Sequence, residues 1–230
     1  MLYGLAVLRQ PSLPELTVPP GVTGDVAAAH LYRASLRTID VHLDPSTPRT
    51  SVARTIADIC RTQGAAAGLV TLDDALRNRV VDLAALDDVI DMCRGWPGIR
   101  SADRARLIAD ASAESPLESL SRFAIAESAL PRPATQVEIR EAYGAFVARV
   151  DFYWDEFGVV GEADGRIKYE SRDVLFAEKQ RQEVLENLGL VVVRWGWDDV
   201  RNGTLPARIA RALRRGERLK RLALPRQWSV

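Results

Sequence analysis

The chain contains Arg149-Val150-Asp151-Phe152-Tyr153-Trp154, followed by Val159-Val160-Gly161-Glu162-Ala163-Asp164-Gly165-Arg166-Ile167-Lys168-Tyr169. Both runs are apolar and strand-like, and both carry acidic residues in their interior. A carboxylate inside a sheet is costly unless something compensates its charge, and a divalent cation is the usual compensator. Side chains alternate along a strand, so Glu162 and Asp164 share one face while Gly161 and Ala163 share the other. On the preceding run Asp151 shares a face with Arg149 and Tyr153, and Val150, Phe152 and Trp154 fill the opposite, buried one. If the two strands are neighbours, Asp151 and Glu162 meet within the reach of one cation. Mg²⁺ takes oxygen ligands at about 2.1 Å and keeps several waters, so Asp151, Glu162 and a carbonyl at Ala163 suffice, with Asp164 nearby. Two plainer readings also fit these residues: Asp151 as a strand-end acid paired with Arg149, and Asp164-Gly165 as a hairpin turn beside an exposed Glu162.

The flanking sequence builds a regular frame around this pair. Ser115–Ser128 reads as a helix with Leu117, Leu120, Phe123 and Ala124 on one face, ended by Pro131 and Pro133. Gln136–Ile139 is a strand, Tyr143-Gly144 a turn, Phe146–Trp154 a second strand and Phe157–Asp164 a third. Asp173–Leu188 is an amphipathic helix closed by Gly189. Leu190–Trp195 is a continuous apolar run, as in a strand buried on both faces. A basic helix from Pro206 to about Leu222 ends the order α-β-β-β-α-β-α.

Upstream, residues 1–49 predict a small β-rich segment, with short strands near Glu15–Val18, Ala29–Arg33 and Val41–Leu43 between prolines. Residues 50–111 predict a helical connector: a helix capped by Thr50 or Ser51, helix starts at Thr71 and Asp82, a break at Gly95-Trp96-Pro97-Gly98 and a further helix over 102–111. Residues 112–230 form the last division. The fold class is α/β of the α+β kind.

Composition excludes several functions. The formal net charge is zero, so contact with a polyanion would rest on local patches. Cys60 and Cys93 lack metal-ligand spacing and read as buried thiols. His30 and His42 are far in sequence from the acidic strands, which argues against a histidine-based triad or a zinc site. No stretch approaches about 18 unbroken apolar residues and no signal segment is evident, which predicts a cytoplasmic protein without a membrane partner.

The element order, with acids on the second and third strands, resembles the core of the PD-(D/E)XK nuclease superfamily, in the branch of very-short-patch-repair endonucleases. The residues that carry the likeness are Glu118 in the leading helix, Gln136 on the first strand, Asp151 on the second, Glu162-Ala163-Asp164-Gly165 on the third and Glu178-Lys179-Gln180-Arg181 in the following helix, then Val191–Trp195 before Trp197-Asp198-Asp199-Val200. The resemblance implies a restriction-endonuclease-like αβββαβ core and a DNA endonuclease dependent on Mg²⁺ or Mn²⁺. Asp151, Glu162 and Asp164 would hold the metal, and Glu118 would assist through water. That pattern has a lysine two residues after the third-strand acid, where this chain has Asp164. Lys168 or Lys179 would then supply the positive charge that offsets the developing oxyanion. Gln136 with Arg211, Arg214 and Arg215 of the basic helix would contact nucleic acid.

Ser51–Asp58 and Trp96–Arg100 are also similar to a group of actinobacterial proteins like AbiEi-type antitoxins, in which a winged helix-turn-helix precedes this region. Met1 falls where that module would have ended, so it is expected to be missing or to lie outside this reading frame. This second likeness implies an alternative: a non-catalytic, antitoxin-like regulator that holds DNA, a cognate toxin or another protein on a nuclease-like scaffold.

Overall fold

A computed structural model of the chain describes residues 3–44, 47–141, 143–165, 172–222 and 228–229, with the backbone alone for 172–178 and 228–229. The fold is mixed, with helices and several sheets, and divides into two compact units, Met1–Ala111 and Ser112–Val230.

In the first unit β1 (Glu15–Val18) pairs in parallel with β2 (His30–Arg33), and β3 (Val41–His42) pairs antiparallel with β4 (Arg49–Thr50). Four helices follow: α1 (Val52–Gln63), α2 (Ala65–Arg77), α3 (Leu83–Met92) and α4 (Arg100–Ile108). Ser51 and Asp82 cap α1 and α3 through their side-chain oxygens, as expected of such residues ahead of an apolar period. Thr71, expected to open a helix, instead lies inside α2, where its hydroxyl donates to the Ala6 carbonyl. The helix opens earlier because Gly64, at φ +93°, turns the chain straight from α1 into an alanine-rich run with strong helix propensity. The β-rich segment and the helices form one body. Arg54 of α1 is fully buried, donates to the Ser35 carbonyl and lies 3.6 Å from Asp40. Cys60 and Cys93 are both buried thiols.

The second unit is a five-stranded sheet between helices. Helix α5 (Pro116–Ala126) leads, then come β5 (Ala134–Glu141), β6 (Phe146–Trp154), β7 (Val159–Ala163), α6 (Arg172–Asn187), β8 (Val191–Trp195), α7 (Trp197–Arg201), α8 (Leu205–Leu222) and β9 (Trp228–Ser229). The sheet order is β8-β7-β6-β5-β9; β7 and β8 run parallel and the other pairs antiparallel. One face buries Phe152, Trp154, Val159, Val191, Val193 and Trp195 against Ile125 of α5 and Leu205, Ile209 and Leu213 of α8. The other buries Val150, Tyr153 and Val160 against Leu185 of α6 and Leu190. The expected third strand begins two residues later than Phe157, because Asp155–Phe157 form a 3₁₀ turn closed by Gly158 in the left-handed region. Helix α7 was not evident from sequence; at five residues it is too short to show a period.

Helix α8 reaches the sheet through a glycine. A Cβ added at Gly216 would lie 2.2 Å from the Phe157 carbonyl oxygen and 2.7 Å from Val159 Cγ2. Backbone cannot yield as a flexible side chain does, so Gly216→Ala is expected to cost about 3 kcal/mol in urea unfolding. A change below a few tenths would mean that α8 does not pack this closely.

Candidate active site

The acidic residues gather where the sheet ladder is broken. On one side of β6, pairing with β7 runs Trp154↔Val159, Tyr153↔Val160 and Phe152↔Gly161, then stops. Continued by one residue, that register would set Asp151 opposite Glu162. Instead of the next rung, the Ala163 amide donates to Asp151 Oδ2 at 2.8 Å. On the other side, pairing with β5 runs Thr135↔Phe152 and Val137↔Val150, passing over Gln136 and Asp151. Gln136 there has φ +52°, a left-handed conformation that a non-glycine residue adopts at a cost of about 1–2 kcal/mol. The strict alternation expected along β6 therefore slips at Asp151. Val150 packs with Tyr153 in one core while Phe152 and Trp154 enter the other.

The strained turn at Gln136 aims its amide into the gap. Its Nε2 donates to Glu118 Oε2 at 2.9 Å and approaches Asp151 Oδ1 at 3.4 Å. Glu118 is buried in the first turn of α5 in a reciprocal cap with Ser115: the Glu118 amide donates to Ser115 Oγ at 3.2 Å, and Ser115 Oγ donates to Glu118 Oε1 at 2.8 Å. The Glu114 amide adds a bond to Oε2 at 3.0 Å. The Ser115-Pro116-Leu117-Glu118 sequence carries this capping signal, so helix entry and site share one glutamate.

Glu162 is 6% exposed. Arg181 Nη2 of α6 donates to its Oε1 at 2.6 Å, and Arg194 Nε of β8 lies 2.9 Å from its Oε2. Arg194 stands beside Glu162 because the parallel β7–β8 register pairs these two residues. Neither arginine was among the site residues expected from sequence. Finding Arg194 requires that register, and Arg181 entered the sequence reading only within the Glu178–Arg181 likeness, with no role of its own.

The structure thus brings Glu118, Gln136 and Asp151 into one hydrogen-bonded group, with Glu162 close enough for its charge to act on Asp151. Arg149 pairs with Glu114, not with Asp151. Asp164 is exposed and its amide bonds the Trp195 carbonyl. Lys179 is 77% exposed and lies 4.0 Å from Glu183, and Lys168 falls outside the described residues. Arg211, Arg214 and Arg215 are exposed on α8. Trp195 is buried, its indole N–H bonded to Ser121 Oγ at 2.7 Å.

The Asp151 carboxyl is raised from 3.8 to about 6, chiefly by burial; the Ala163 amide opposes the rise and the negative charges of Glu118 and Glu162 add to it. A carboxyl that binds its proton more tightly when folded makes the fold less stable as pH rises from about 4 to about 6, with no further change above that. Asp151→Asn keeps an acceptor for the Ala163 amide and cannot ionise. At pH 7.5 the variant is expected to be about 2 kcal/mol more stable than wild type, the gain disappearing near pH 4. Urea unfolding at the two pH values checks this; equal stability at pH 7.5 would refute the strain assigned to the ionised group.

The carboxylates of Glu118, Asp151 and Glu162 are hard oxygen donors of the kind a divalent cation takes, whereas Gln136 and Ala163 present N–H groups to them. Their present orientations do not chelate. Among the described residues no group of three or more His, Cys, Asp or Glu side chains is gathered as a metal site.

Comparison with known proteins gives relatives but no function. The chain is 33% identical over 168 residues to uncharacterized protein Rv2248 of Mycobacterium tuberculosis strain ATCC 25618 / H37Rv, and equally to uncharacterized protein MT2308 of strain CDC 1551 / Oshkosh. The alignment covers 72% of this chain and 62% of either relative. No family model matches, and no solved structure matches. No helix among the described residues is long and apolar enough to cross a membrane.

Proposed function

We propose that the second unit is a restriction-endonuclease-like domain of the very-short-patch-repair type that hydrolyses phosphodiester bonds in DNA with Mg²⁺ or Mn²⁺. One observation carries this reading: the β6 ladder is interrupted on both sides at Asp151, and a left-handed Gln136 is held there to tie Asp151 to Glu118. Structure maintained against a backbone cost is a mark of a working site. A bound divalent ion would polarise a phosphoryl oxygen and acidify a coordinated water. Asp151 and Glu162 would hold it, Glu118 would orient water through the Gln136 amide, and Arg211, Arg214 and Arg215 would approach the phosphate backbone.

The test is incubation of the full chain with supercoiled, linear, single-stranded and mismatched DNA in Mg²⁺ or Mn²⁺. Cleavage that EDTA stops is the expected result, and intact DNA in every form overturns the reading. A second reading, a non-catalytic antitoxin-like protein that holds DNA or a toxin, is favoured by Glu162, whose oxygens both face arginines. It expects retention of DNA or of a partner protein without a cut.

A further inference from the structure

We infer that Arg181 is a displaceable counter-ion on Glu162, standing where a divalent cation binds, so that loading the site is an exchange and not an addition. This rests on the cation-dependent reading above.

Glu162 presents a side chain only 8% exposed, and a carboxylate so buried must be neutralised in the cation-free protein. One arginine would be enough, yet two are present. They differ in how firmly they are held. Arg194 is 26% exposed, and its backbone is fixed beside Glu162 by the parallel rungs of β7 and β8. Arg181 is 36% exposed and comes from a helix, on a long flexible stem that can carry its head into water. Arg181 is therefore the partner that can leave while Arg194 stays.

Its departure is also what would change the site from paired to chelating. With Oε1 held by Arg181 at 2.6 Å, a guanidinium occupies one approach to that oxygen. A divalent ion taking the place of the guanidinium would bring two charges for one. It would answer the remaining charge at Asp151, whose carboxyl feels both Glu118 and Glu162. Lys179, two residues earlier on α6, cannot play this part, because it is 77% exposed and turned to Glu183.

Calorimetric titration of Mn²⁺ into the full-length protein tests the exchange. Arg181→Gln removes the competitor and is expected to bind Mn²⁺ roughly tenfold more tightly, the equivalent of one charge-assisted hydrogen bond. Arg181→Lys, which keeps the charge but not the fork, is expected to fall between. Lys179→Gln removes the same charge from the same helix and is expected to stay within about twofold of wild type, whereas Glu162→Gln should lose most of the affinity. Thermal unfolding gives a second readout, since Mn²⁺ should raise the melting temperature of Arg181→Gln more than that of wild type.

If wild type binds Mn²⁺ through Glu162 but Arg181→Gln binds no more tightly, the exchange is wrong and the cation site stands. If no variant binds Mn²⁺, both fall. If neither Arg181 variant folds, the pair is structural and the exchange is overturned.

Discussion

Asp151→Ala is expected to reduce Mg²⁺-dependent DNA cleavage by at least about a thousandfold, which corresponds to roughly 4 kcal/mol of transition-state stabilisation. Asp151 is the one acid that touches both halves of the site, through Gln136 Nε2 on one side and the Ala163 amide on the other. Alanine removes both contacts, so lost activity alone would not separate chemistry from folding. Asp151→Asn makes that separation. It keeps an oxygen for the Ala163 amide, and it should be more stable than wild type at neutral pH while cutting no better than alanine. A gain in stability joined to a loss of rate is the signature of a group whose ionised form is maintained for function. Cleavage by Asp151→Asn within tenfold of wild type would refute a metal-holding role for this residue.

Glu162→Ala is expected to move stability the other way, by about 3 kcal/mol toward unfolding. The variant leaves Arg194 beside the β7–β8 core and strips Arg181 of its buried partner, and breaking a buried ion pair from one side costs more than the pair contributes. Arg194 cannot follow its charge into water as Arg181 can, because its strand is held on β7 by the rungs from Val159↔Val191 to Ala163↔Trp195. The double variant Glu162→Ala/Arg194→Met should recover most of the loss, and urea unfolding of the four proteins in that cycle gives the coupling directly. Additive losses would mean that Glu162 and Arg194 are neighbours without being a pair. The two acids that sequence groups together thus have opposite effects on the fold: one is strained by its charge and the other is needed for it.

Much of the second unit was legible because its signals are local. The apolar run at Val191–Val193, the acids within apolar strands at Asp151 and Glu162, and Gly189 after an amphipathic helix each report a short-range preference that tertiary packing did not override. Strand parity put Asp151 and Glu162 on neighbouring strands, yet it misjudged β6. Val150 and Phe152, two residues apart, enter different cores because the side-chain alternation slips where the ladder is interrupted at Asp151. That slip depends on Gln136 adopting φ +52°, which no side-chain period encodes. The cations were hidden for a related reason. Lysines were sought by spacing from Glu162, while the groups that meet it, Arg194 and Arg181, arrive by register on a parallel strand and by the docking of a helix. In the first unit the start of α2 was hidden because Gly64 serves two helices at once.

Anomalous diffraction from crystals soaked in Mn²⁺ would locate the cation itself. The expected map has one peak bounded by the carboxylates of Asp151 and Glu162, with the Arg181 guanidinium withdrawn from Oε1. A map without a peak there at millimolar Mn²⁺, and with Glu162 still held between Arg181 and Arg194, would contradict the cation-dependent reading.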